Sequence, residues 1–189
     1  MKYTPVAATI CLLLGQASHA ATIEEVLTVF LEDEVRAWAT DEILIDAIRA
    51  QNEVTAGYSQ DRIYEMDEEW KAAVEVAGAD IIGNVVNTNA SEYLRTQVAN
   101  SGGLVTEAFV MDARGLNVAA SEATSDYWQG DEAKYSSTFI AGPDAVHFSD
   151  VEYDASTQQH QAQMSFTIVD PDTGEAIGAA TIGVIAAAF

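Results

Sequence analysis

The spacing of hydrophobic residues changes near the middle of the chain. Before residue 104, apolar side chains recur every three or four positions, as on one face of an α-helix. After residue 104 they form short runs or alternate with polar residues, which is typical of β-strands. The chain is therefore predicted to be α+β, with helices that precede a sheet.

Three helices are predicted in the first half, over about 22–50, 59–78 and 89–99. Thr22 is a suitable N-cap for the first helix, whose pattern breaks near Thr40 and predicts a kink or a restart there. Asn89 stands three residues before Glu92, which is the spacing of a capping box for the third helix. The pattern over 79–88 is ambiguous.

Five strands are predicted after residue 104, over 104–111, 116–120, 145–153, 158–169 and 176–185. Asp112–Gly115 is a hairpin turn between the first two strands, because Asp bonds its own downstream backbone and Gly accepts a positive φ. The third strand loses its alternation near Ser149, which predicts a β-bulge. In the fourth strand, one face is predicted to carry the core residues Ala162, Met164, Phe166 and Ile168.

The net charge limits the partners. Thirty acidic residues face eight Lys and Arg, which gives a formal charge of −22 at pH 7. Such a surface repels nucleic acids and anionic lipid headgroups, so no nucleic-acid partner is expected. A bound anion would need a local positive site against this field.

The N-terminus resembles a secretory signal. Lys2 precedes an apolar run, Val6–Leu14, that is too short to cross a bilayer, and small residues stand at Ser18 and Ala20. We predict a signal peptide over 1–20 with cleavage after Ala20. The mature chain, 21–189, would then be a single periplasmic domain.

The sequence argues against an enzyme. Cys11, the only cysteine, lies in the predicted signal peptide, so the mature chain would have no disulfide and no thiolate nucleophile. The sequence contains no G-x-S-x-G, H-E-x-x-H, P-loop or dinucleotide-binding motif. We therefore expect neither catalysis nor a cofactor.

Polar, aromatic and charged residues are concentrated between residues 111 and 154. The order of motifs resembles the Cache family, the PAS-like extracytoplasmic sensor domains of bacterial receptors, over roughly residues 22–185. The segments that carry this resemblance are MDARGLNV (111–118), Ser121, TSDYWQGDE (124–132), DVEYD (150–154) and GEAIG (174–178).

The resemblance implies a five-stranded antiparallel PAS-like sheet of strand order 2-1-5-4-3. It also implies a pocket between the sheet and the insert that separates the second and third strands. The implied function is binding or sensing of a small polar metabolite. We expect no output module after the last strand, and a membrane receptor or kinase would then be the signalling partner. A homodimer through the N-terminal helices is a further prediction.

Seven residues are candidates for ligand contacts within this resemblance: Asp126, Tyr127, Trp128, Lys134, Tyr135, Asp150 and Tyr153. Asp126 offers an acceptor to a ligand amine, and Lys134 offers a point charge to a ligand carboxylate. The aromatic residues offer flat apolar faces. Lys134 equally fits a helix pair with Asp131, three residues before it. Many family pockets carry an aromatic pair where this chain has Lys134-Tyr135, so the ligand identity stays open.

An acidic scaffold or divalent-ion-binding domain with a degenerate pocket is the alternative function. Asp170-x-Asp172-x-Gly174 matches part of a calcium loop, but the other ligands, including the final Glu, do not follow. A hairpin turn explains this segment better.

Overall fold

The computed structural model describes residues 21–74, 76, 79–154 and 159–189. The signal peptide predicted over 1–20, its cleavage site, and the predicted helix stop at Gly78 lie outside these residues. Within them, no helix combines the length and the apolar character needed to cross a membrane.

Helices occupy the first half, as predicted, but in more pieces. They are α1 (Ile23–Phe30), a π-helical turn (Leu31–Val35), α2 (Arg36–Ala39), α3 (Glu42–Thr55), α4 (Gln60–Val74), α5 (Asp80–Val86) and α6 (Asn89–Asn100). The ambiguous segment 79–88 thus contains a helix of its own.

The capping predictions hold to within one residue. Thr22 caps α1 in a capping box, in which its hydroxyl accepts from the Glu25 N–H and its own N–H donates to the Glu25 carboxylate. The restart lies where it was predicted, but Asp41 rather than Thr40 is the N-cap of α3. Likewise Thr88, not Asn89, caps α6.

The second half forms one antiparallel sheet. Its strands are β1 (Val105–Asp112), β2 (Asn117–Ala120), β3 (Val146–Phe148), β4 (Glu152–Asp154), β5 (Gln159–Val169) and β6 (Ala176–Ile185), with the four-residue helix α7 (Ala133–Ser136) between β2 and β3. The strand order is β2-β1-β6-β5-β3, and β4 also pairs with β5.

The predicted five-strand sheet of order 2-1-5-4-3 is therefore wrong in its strand count. The single third strand predicted over 145–153 is two short strands, β3 and β4, which both pair with β5. Counted as one interrupted strand, they restore the predicted order. The interruption falls at Ser149–Val151, where the bulge was predicted.

The sheet separates two hydrophobic clusters. On one face, α1–α3 and α6 cover Ala162, Met164, Phe166 and Ile168, so the predicted core face of this strand is confirmed. On the other face, α4 and α5 pack with Phe109, Met111 and insert residues, including Tyr127 and Tyr135. The alternation along β1, with Ala108 and Val110 on one side and Phe109 and Met111 on the other, divides the two clusters.

Candidate functional site

A cavity of about 470 Å³ lies on the insert side of the sheet. Its floor comes from β1 and β5, and its sides come from the start of α7 with the residue before it and from β3, β4 and their connection. This is the place that the family resemblance implies, between the sheet and the insert. The lining side chains discussed below are Glu107, Glu132, Lys134, His147, Asp150, Glu152, Tyr153, Gln163 and Ser165.

The break between β3 and β4 brings Asp150 to this cavity. Phe148 pairs with Met164, and Glu152 pairs with Gln161. Three residues, 149–151, therefore lie opposite two residues, 162 and 163. The one residue without a counterpart is the extra residue of a β-bulge. Ser149 still pairs with Gln163 of β5. Its backbone N–H donates to the Gln163 carbonyl, and its hydroxyl accepts from the Gln163 backbone N–H, both at 2.8 Å.

Two polar contacts organise the cavity. The Gln163 amide donates to the Glu107 carboxylate at 2.8 Å. The Lys134 ammonium lies 3.0 Å from the Glu132 carboxylate and 5.5 Å from the centre of the Phe109 ring. Lys134 is only 16% exposed, so this cation is held between a carboxylate and an aromatic face.

The seven predicted residues divide into two groups. Lys134, Asp150 and Tyr153 line the cavity together. The lining does not include the side chains of Asp126, Tyr127, Trp128 and Tyr135, which contact protein groups instead. These four side chains therefore lie outside this cavity, and their predicted ligand contacts stay predictions.

Segment 124–130, which we call the anchored segment, is attached to α4. The Asp67 carboxylate accepts the backbone N–H groups of Tyr127 and Trp128 at 2.9 and 3.0 Å. Lys71 bridges Asp67 at 2.7 Å and Asp126 at 3.2 Å. The Trp70 indole donates to the Thr124 carbonyl, and its ring stacks on Tyr127 with centroids 5.3 Å apart.

Sequence reasoning missed these α4 residues, although one signal was present. Asp67 lies four residues after Ile63 and three before Trp70, on the buried stripe of α4. A carboxylate on such a stripe needs a partner, because burying an unpaired charge is costly. Glu107 and Gln163 were missed as well; Gln163 belongs to the polar side of the alternating strand β5.

The anchored segment also runs beside the β1–β2 turn. Gln129 donates its backbone N–H to the Gly115 carbonyl at 2.8 Å, and Asn117 donates to the Tyr127 carbonyl at 3.0 Å. Gly115 has a φ of +78°, and a Cβ there would stand 2.9 Å from the Gly130 backbone. Glycine is required at position 115 for both reasons.

Burial and charge set the protonation of this region. Burial raises the pKa of Tyr127, and it raises the pKa of Tyr135, whose hydroxyl donates to the Ala113 carbonyl, to about 12. Burial opposes ionisation of Asp126, but hydrogen bonds from Ser125 and Lys71 outweigh it, so the pKa of Asp126 lies below its ordinary value. Neutral phenols and an ionised Asp126 are therefore the states at pH 7.

The partial calcium motif has a different partner in the structure. The Arg49 guanidinium binds Asp170 through two nitrogens, at 2.6 and 2.7 Å, and reaches Asp172 at 2.7 Å. These hydrogen bonds lower the pKa of Asp170 to about 2. Among the described residues, no group of three or more His, Cys, Asp or Glu is placed to hold a metal ion.

Comparisons with known proteins give structural likeness only. No protein-family model and no curated protein matches the sequence. The sensor domain of the Vibrio cholerae histidine kinase DctB aligns over 86% of this chain and 52% of its own, with 13% identity and a TM-score of 0.46. The sensory domain of the Campylobacter jejuni chemoreceptor Tlp3 aligns over 84% and 63%, with 11% identity and a TM-score of 0.41.

An extracellular ligand-binding receptor from Desulfohalobium retbaense aligns over 75% of this chain and 24% of its own, with 15% identity and a TM-score of 0.37. This chain thus spans about half to two thirds of the first two structures. The first two are sensor domains of the kind that the sequence motifs resemble. At these identities and TM-scores, the likeness by itself assigns no function.

Proposed function

We propose that this chain is a Cache-type sensor domain that binds a small polar metabolite in the cavity between the sheet and the insert. The observation that supports this most is the cavity, which has the size of a small-molecule site and is lined by converging polar groups from β1, β3, β4, β5 and α7. Lys134, Asp150 and Tyr153 are the proposed contacts among the predicted residues. The lining adds Glu107, His147 and Gln163.

Asp126, Tyr127, Trp128 and Tyr135 have a supporting role in this proposal. They fix the insert against α4 and the β1–β2 turn, so the start of α7 is held over the sheet. A pre-organised wall lowers the entropic cost of binding. The proposal includes export to the periplasm, signalling through a separate membrane receptor or kinase, and no catalysis.

A thermal-shift screen tests the binding proposal. The full chain is scanned with organic acids, amino acids, amines and divalent cations. A ligand that binds only the folded state, at about one hundred times its dissociation constant, stabilises it by about 2.7 kcal/mol. For a domain of this size, that raises the melting temperature by roughly 5–11 °C.

Two tryptophan variants locate the site of any hit. Ala133 is exposed and lines the cavity, so Ala133→Trp should fill the cavity and abolish the shift. Ala72 is an exposed alanine on α4 outside the lining, and Ala72→Trp is the matched control. A hit that keeps its full shift in Ala133→Trp contradicts the proposal. Stabilisation by divalent cations alone would favour the scaffold or ion-binding alternative.

A further inference from the structure

The cavity carries more negative than positive groups. Four carboxylates line it, those of Glu107, Glu132, Asp150 and Glu152. Among the described residues of the lining, Lys134 alone carries an ammonium group, which already lies 3.0 Å from Glu132. This pair leaves three carboxylates and His147 around the remaining space.

None of these three carboxylates has an ion pair within the described part of the chain. The Glu107 carboxylate accepts from a neutral amide, that of Gln163, at 2.8 Å. Asp150 and Glu152 are exposed at the edge, without a cation within 4.0 Å among residues 21–74, 76, 79–154 and 159–189. Like charges gathered around one space raise the free energy of the unliganded state, and a bound cation relieves this repulsion.

The floor of the cavity beneath these acids is also polar. Ser165 is fully buried and lines the cavity, and its hydroxyl lies 2.9 Å from that of Thr181, which is also fully buried. Because the two hydroxyls are covered and bond each other, they stabilise the floor and leave the carboxylates as the groups available to a ligand.

Size and geometry separate an organic cation from a metal ion. The carboxylates come from β1, from the residue before α7, from the β3–β4 connection and from β4, around a space of about 470 Å³. A metal ion needs several oxygen ligands within about 2.6 Å, and no suitable group of side chains was found among the described residues. An extended organic molecule can reach carboxylates that come from separate elements around one space.

We propose that the cavity binds a small organic cation, a protonated aliphatic amine. This inference rests on the proposed function and names its ligand class. Ammonium groups would pair with Glu107 on the floor and Asp150 or Glu152 at the edge. Lys134 holds Glu132 and restrains the start of α7, rather than receiving a ligand carboxylate.

Three four-carbon probes of different charge test this inference: 1,4-diaminobutane, butane-1,4-diol and succinate. Each is titrated into the full chain by calorimetry in 150 mM NaCl, where exposed charges are largely screened. We expect 1,4-diaminobutane to bind with a stoichiometry of one, and to bind at least tenfold more tightly than the other two. Ala133→Trp should abolish this binding.

A charge-matched pair of variants separates the cavity from the general acidity of the surface. Glu107→Gln/Asp150→Asn should weaken 1,4-diaminobutane binding at least tenfold. Asp33→Asn/Glu53→Gln removes the same charge at exposed positions outside the lining. This control variant should change the affinity for 1,4-diaminobutane less than twofold. Equal losses in the two double variants would mean non-specific attraction and would overturn the inference.

The remaining outcomes distinguish the two proposals. If succinate or the diol binds instead, and Ala133→Trp abolishes that binding, the cation inference is wrong and the proposed function stands. If 1,4-diaminobutane does not bind at concentrations of about 10 mM, the cation inference is also wrong. If a probe binds and Ala133→Trp leaves its affinity unchanged, the cavity is not the site and both proposals fail.

Discussion

The anchored segment and the cavity lie in the same insert region but differ in how their polar groups are satisfied. In the anchored segment, Asp126 has Lys71 and Ser125 as partners, and the N–H groups of Tyr127 and Trp128 both reach Asp67. In the cavity, Asp150 and Glu152 have no cationic partner among the described residues. In the anchored segment the charge of Asp126 is paired within the protein, whereas among the described residues of the cavity only the charges of Glu132 and Lys134 are paired.

This difference indicates which region holds the structure and which is available for a ligand. Buried polar groups are normally paired, because leaving them unpaired costs free energy. Unpaired charges around a concave, partly covered space are tolerated when function needs them, at some cost in stability. We therefore expect changes in the anchored segment and its α4 partners to affect folding, and changes in the cavity to affect binding.

The largest expected effect on stability comes from Trp70. Its side chain is fully buried, stacks on Tyr127 and donates to the Thr124 carbonyl. Trp70→Ala should lower the free energy of unfolding by about 3–5 kcal/mol. Tyr153→Ala, at a 59% exposed cavity residue, should lower it by less than about 0.5 kcal/mol. Urea denaturation measures both; similar losses would remove the contrast between the regions.

Asp67 should have the next largest effect. Asp67→Ala leaves the N–H groups of Tyr127 and Trp128 without their acceptor, which should cost about 1–3 kcal/mol of unfolding free energy. Asp67→Asn keeps one oxygen acceptor and should cost less. If both variants unfold at the wild-type urea concentration, Asp67 does not hold the anchored segment.

Acid should weaken the anchored segment through Asp126. The pKa of this carboxyl is lower in the folded chain than in the unfolded chain, where it is near 3.9. Its contribution to stability is therefore complete above about pH 4 and is lost as pH falls through the lower folded pKa. Asp126→Asn should reduce the dependence of the unfolding free energy on pH over this acid window. The reduction should be modest, because Lys71 is 43% exposed. An unchanged acid slope would contradict the assignment.

Neutralising the cavity edge should have the smallest effect on stability. Asp150→Asn/Glu152→Gln removes two exposed charges without an ion partner in the described chain, so the unfolding free energy should stay within about 0.5 kcal/mol of wild type. A slight gain at low salt would reflect relieved repulsion. A loss above about 2 kcal/mol would show that these acids have a structural role.

The sequence allowed the sheet to be predicted in more detail than the contacts around the candidate site, for a physical reason. Residues 161–168 of β5 alternate between polar and apolar, so Ala162 and Phe166 could be placed on the core face from local spacing alone. The lost alternation at Ser149 likewise located the break that brings Asp150 to the cavity. Both patterns are formed by residues that are close together in the sequence, so they can be recognised without knowing the tertiary contacts.

The insert gave no comparable signal. An aromatic residue in a loop suits a ligand wall and a protein core equally well, and the partner decides between them. For Tyr127 that partner is Trp70, 57 positions earlier in the sequence. Lys134 pairs with Glu132, which is neither the ligand carboxylate nor the Asp131 pair considered from the sequence. Short helices and turns allow more than one such pairing within two or three residues along the chain.

The most direct test of the central claim is a residue-resolved binding map. Titration of 1,4-diaminobutane into the isotope-labelled full chain, followed by amide chemical shifts, should move the signals of residues 132–134, 147–153 and 161–165. Signals of the anchored segment, 124–130, should stay within the noise. Shifts concentrated in 124–130 and α4, or spread over exposed acidic residues throughout the chain, would contradict the claim that the cavity is the ligand site.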